Sequence, residues 1–112
     1  MNLDQASPVD TKGDFAMHKR LRTVLILKKR TDTLRTLIRR NASEYQILKA
    51  AVRLREARIR VVNAQIGEMP SVLTTPKQTR RVANLVKEIE ALESTPPLDF
   101  VAKIRASLDS GA

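Results

Sequence analysis

From Met17 onward a mostly apolar residue recurs every seven positions through half of this chain: Met17, Val24, Thr31, Ile38, Tyr45, Val52, Ile59 and Ile66. A second apolar set follows three residues behind, at Leu27, Leu34, Leu48, Val62 and Met69. No Gly or Pro interrupts the chain between Phe15 and Ile66. This is the a/d pattern of helices that wrap around other helices. A helix of that length cannot bury its own seam, so the pattern demands a partner, folded back from the same chain or supplied by another.

The spacing predicts an all-α domain over residues 15–112, preceded by a polar, turn-rich tail over 1–14 that is expected to be flexible. Asp14 suits a helix N-cap before Phe15. The first helix is expected over about 15–69, stopped by Pro70. Its weak point is Asn41-Ala42-Ser43-Glu44, where both Asn41 to Glu44 and Ser43 to Gln46 have capping-box spacing. The heptad phase survives across this stretch, and a seam Asn can fix register. The first helix is therefore expected to be continuous, with 41–43 the place where it would break. Thr75-Pro76-Lys77-Gln78 opens a second helix over about 76–93, and Pro97 or Asp99 opens a third that reaches about 109.

A reversal through residues 70–75 would make an antiparallel helical hairpin or bundle. In that register Glu88, Glu90 and Glu93 fall beside Arg58, Arg55 and Arg53, and Lys77 falls beside Glu68. Phe100 would approach Tyr45, and Leu108 would approach Leu37. The N-terminal part of the long helix would project past its cover, leaving Leu21, Val24, Leu25 and Leu27 exposed, so an oligomer is expected. A parallel dimer of this half is disfavoured, because Arg30 and Arg35 would repel across the seam flank.

Composition narrows the function. The chain has no Cys and a single His, His18, so no thiolate or paired-His metal site and no Cys nucleophile is expected. The three glycines, Gly13, Gly67 and Gly111, are isolated, which excludes a glycine-rich phosphate loop. His18 has no marked nucleophile or acid to complete a triad. The expectation is a non-enzymatic protein without cofactor, metal or small-molecule substrate. The longest apolar run is Val24-Leu25-Ile26-Leu27, far short of the roughly 20 residues that span a bilayer. The first residues do not resemble a targeting peptide. A soluble, cytoplasmic protein is expected.

The formal net charge is +9, and it is unevenly placed. Residues 17–40 hold nine basic side chains and one acid, Asp32. An ordinary solvated helix face mixes signs, so this asymmetry marks an anion-binding face. Lys19, Arg22, Lys28, Lys29, Arg30, Arg35, Arg39 and Arg40 are the candidate contacts to a nucleic-acid backbone. Such contacts are strong at low salt and nearly indifferent to sequence. No aromatic residue is interleaved with them, so base stacking is not expected. A second reading is a protein–protein adaptor, assembly factor or inhibitor. It would grip an acidic partner through an apolar-and-basic tip made by Met17, Leu21, Val24 and Leu25. A membrane surface fits a basic amphipathic helix but is the weakest of the three.

Overall fold

The computed structural model describes the backbone of residues 11–110 and the side chains of residues 18–110. The described residues are all-α. Four helices follow one another: α1 (Thr11–Arg39), α2 (Glu44–Gly67), α3 (Pro76–Ser94) and α4 (Pro97–Ser110). The backbone is already helical at Thr11, so α1 begins before the expected Asp14 cap. The rest of the expected tail lies outside the described residues.

The continuous helix expected over 15–69 is instead two helices, parted at residues 40–43. Asn41 adopts a left-handed conformation, with φ of 54°. Its N–H donates to the Ile38 carbonyl at 3.1 Å, and the Ala42 N–H donates to the Leu37 carbonyl at 3.0 Å. These two bonds close the end of α1 as a Schellman motif, and Asn tolerates the left-handed position better than most residues. Ser43 then caps α2: its hydroxyl accepts the Gln46 N–H at 3.2 Å. Both helix ends facing the turn are thus satisfied locally, and the break leaves little polar cost behind.

The gain is burial. Beyond the turn the chain folds back, and Arg20 of α1 meets Glu68, the residue that caps the far end of α2, at 3.4 Å. Leu34 is completely buried in the resulting core with Ile47, Ala51 and Leu54, while Leu27, Leu37 and Ile38 are half-buried against it. A single straight helix would have left this face in water.

The turn also changes which face of α2 points inward. The heptad set continues only in part: Tyr45 is 72% exposed and Leu48 is also exposed, whereas Val62 is buried and Ile59 and Ile66 pack against the core. The first half of α2 buries Ile47, Ala50, Ala51, Leu54 and Ala57 in place of that set, and Ala64 is buried further along. α2 is the central element and packs against each of the other three helices. Its alanines provide the close approach that a helix covered on several sides requires.

α3 opens on a capping box. The Thr75 hydroxyl accepts the Gln78 N–H at 3.1 Å, and the Gln78 side-chain oxygen accepts the Thr75 N–H at 3.3 Å. Leu85 and Leu92 anchor α3, and Phe100 and Val101 anchor α4. The charge pairs expected between the long helix and α3 are not formed. Arg20–Glu68 is the one ion pair within 4 Å among the described residues, so Lys77 does not hold Glu68. Arg55 donates to the Thr95 carbonyl at 3.2 Å, and the Arg58 guanidinium lies 5.6 Å from the centre of the Phe100 ring. Hydrogen bonding and cation–π contact have thus taken two of the four cations expected to pair with carboxylates, Arg55 and Arg58.

The turn gives a direct test. Asn41→Gly is expected to leave stability unchanged or raise it slightly. Asn41→Val is expected to lower it by about 1–2 kcal/mol, because a β-branched side chain is strained at positive φ. Urea denaturation of the two variants measures both effects. An Asn41→Val protein with an unchanged midpoint would show that the left-handed turn does not govern the fold.

Candidate nucleic-acid interface

α1 carries most of the candidate contacts because it is covered along one side only. Lys19, Arg22, Lys28, Lys29, Arg35 and Arg39 stand exposed on it, Arg30 is half-buried, and Arg40 is exposed in the turn. None of these eight forms an ion pair within 4 Å among the described residues. The nearby threonines do not compensate them. The hydroxyls of Thr23, Thr31 and Thr33 donate to the carbonyls of Arg20, Leu27 and Lys29, at 2.7, 2.9 and 2.9 Å, so their protons are committed within the helix.

The structure does not bring all eight residues to one place. Lys28, Lys29 and Arg40 line an open groove of about 450 Å³, together with Leu25, Asp32, Thr33, Thr36 and Leu37. Lys19, Arg22 and again Lys29 line a neighbouring depression of about 630 Å³ with His18, Leu21, Leu25 and Ile26. Leu25 and Lys29 belong to both, so the two hollows form one basic strip. Arg39 lies elsewhere, beside Arg105 and the acids Glu44 and Asp109, in a cleft of mixed charge. Arg35 lines none of these hollows. Asp32 sits inside the groove and locally weakens its field.

Arg30 faces a different side, toward α2. It lines a cleft of about 260 Å³ with Thr33, Leu37, Gln46, Lys49, Ala50 and Arg53. Lys49 is not among the residues singled out from the sequence, and Arg53 is there expected beside Glu93 and not as one of the eight candidate contacts. The two are one helical turn apart, which placed them together, but only the reversal at Asn41 carries them to Arg30.

Of the apolar candidates, Leu21, Val24 and Leu25 are exposed, at 55, 43 and 56%. Leu27 is not part of this strip, because it turns inward to the α1–α2 core. The side chain of Met17 lies outside the described residues. The strip therefore alternates leucine and cation along a single helix, with Leu21 and Leu25 among Lys19, Arg22 and Lys29. Among the described residues no helix is long and apolar enough to cross a membrane.

Comparison with known protein families, with curated proteins and with solved structures gives no match to this chain.

Proposed function

We propose that this is a non-enzymatic basic helical protein that binds the backbone of nucleic acid with low sequence specificity. The observation that carries the reading is the strip of α1 cations Lys19, Arg22, Lys28 and Lys29, none of which forms an ion pair within 4 Å among the described residues. Cations held in that way gain more from phosphates than from water, because each phosphate neutralised releases condensed counterions. The same proposal includes self-association of the helical bundle. The uncovered apolar residues Leu21, Val24 and Leu25, of which Val24 belongs to the heptad seam, are available for it.

A second reading has its own observation. The leucines of the strip are more than half exposed, and apolar surface interleaved with charge suits an acidic helical partner better than a duplex. One experiment separates the two readings. Light scattering of the purified chain, alone and with mixed-sequence duplex DNA or RNA, is run at low and high salt. Complex formation confined to low salt supports the phosphate reading, and indifference to nucleic acid turns the assignment to the adaptor. In the same assay Leu21→Ser with Leu25→Ser is expected to preserve most nucleic-acid uptake. A complete loss with the fold intact would assign binding to the apolar contacts instead.

A further inference from the structure

We infer that the cleft between α1 and α2 is a seat for a single phosphate group, held by Arg30, Lys49 and Arg53. The inference deepens the nucleic-acid reading and rests on it for the source of that phosphate, a phosphodiester of the backbone. Free inorganic phosphate presents the same chemistry.

Three cationic side chains from two helices line this one cleft, and no carboxylate lines it. Convergence of like charges opposes folding unless an anion or solvent relieves it, and the half-burial of Arg30 limits relief by solvent at that position. Leu37 and Ala50 complete the lining, so part of the wall is apolar and strengthens the interactions of half-buried Arg30, while Lys49 and Arg53 are exposed to an entering anion. Guanidinium groups match phosphate oxygens two at a time, while a lysine adds a point charge. Of the neutral polar residues, Thr33 cannot donate, because its hydroxyl proton goes to the Lys29 carbonyl at 2.9 Å. Gln46 retains an amide that can. The set is thus three cations and one neutral donor, suited to a tetrahedral oxyanion.

Size and position agree. At about 260 Å³ the cleft falls below the roughly 300–1,000 Å³ usual for drug-sized ligands. Thr33 and Leu37 line both this cleft and the groove of Lys28, Lys29 and Arg40. A backbone lying in the groove therefore passes the mouth of the cleft, and one phosphate entering it would fix the strand's register on the protein.

The test has two arms. In the first, inorganic phosphate is titrated into the full chain while backbone amide resonances are followed, with chloride at matched ionic strength as control. Shifts gathered at Thr33, Gln46, Lys49 and Arg53 under phosphate alone support the seat. Shifts absent there, or equal under chloride, overturn it. In the second, Lys49→Gln with Arg53→Gln is expected to weaken duplex binding roughly tenfold at 0.1 M salt. The log–log salt slope should fall by about 0.9, the value for one phosphate contact. If Lys28→Gln with Lys29→Gln weakens duplex binding and the α2 pair does not, the seat is refuted and the nucleic-acid reading stands. If the unmodified chain ignores duplex yet phosphate moves the cleft amides, the nucleic-acid reading fails and the seat serves free phosphate. Should the α2 double variant melt early, the amide map of the unmodified chain decides.

Discussion

Leu34→Ala is expected to lower the free energy of unfolding by about 3 kcal/mol, within the range of about 2–5 kcal/mol for truncating a buried leucine. Leu34 is the largest side chain with no exposure at all. Its neighbours on α1, Leu27, Leu37 and Ile38, are only half-buried, so Leu34 is the principal anchor of α1 on α2. The loss combines the transfer energy of the deleted atoms with a cavity that the helices close only in part. A domain of this size is stable by about 5–15 kcal/mol in total, so the change should remove a large share. The melting temperature followed by circular dichroism should fall by roughly ten degrees or more. Leu25→Ala, on the exposed strip, serves as the control and is expected to shift it by little. Equal melting of the two variants would contradict the packing of α1 described above.

Neutralising Lys28, Lys29 and Arg30 together, each to Gln, is expected to weaken duplex binding roughly a hundredfold at 0.1 M salt. The estimate follows from counterion release. Three lost phosphate contacts flatten the log–log dependence on salt by about 2.7, and the gap between variant and parent widens as salt falls. The loss should be alike for all sequences, since phosphate contacts carry no base information. Lys28 and Lys29 are exposed, so the fold should tolerate their change, while half-buried Arg30 makes a melting control necessary. Fluorescence anisotropy with several unrelated duplexes measures both slope and affinity. An unchanged slope, or a loss confined to one sequence, would refute the phosphate reading.

The helical class of the chain was legible because it rests on local signals. The absence of Gly and Pro over half the length and the Thr75 capping box each act within a few residues. Asn41 shows where such signals run out. Its left-handed turn costs little and gains little by itself; Asn41 and Ser43 differ from good helix formers by only some tenths of a kcal/mol each, and Ala42 between them is the best helix former of all. Burial of Leu34 against Ile47, Ala51 and Leu54 decides the matter, and that contact exists only after the chain has reversed. The same cause hid the inward face of α2. Ala50, Ala51 and Ala57 contribute weakly to a hydrophobic pattern, whereas Tyr45 and Leu48 contribute strongly and stay outside. Of the candidate site, Leu21, Val24 and Leu25 are exposed as expected but for another reason: α1 does not project past its cover but lies along α2 as far as Arg20 and Glu68, and Leu27, expected to be exposed with them, packs inward. The grouping of Arg30 with Lys49 and Arg53 was not legible, since those residues are far apart along the chain.

The central position of α2 also governs how one half of the molecule responds to the other. No extended contact joins α1 to α3, whereas both pack on α2, and α1 meets α4 only at a narrower contact. A load applied to α1 therefore reaches the C-terminal helices mainly through α2, whose buried side includes Ala50, Ala51, Ala57 and Ala64. Small side chains leave little room for rotamer rearrangement, so such a coupling transmits tilt and translation of a whole helix in preference to local repacking. A bulkier residue at fully buried Ala51 is therefore expected to displace the helices packed on α2, an effect felt at a distance from every exposed charge.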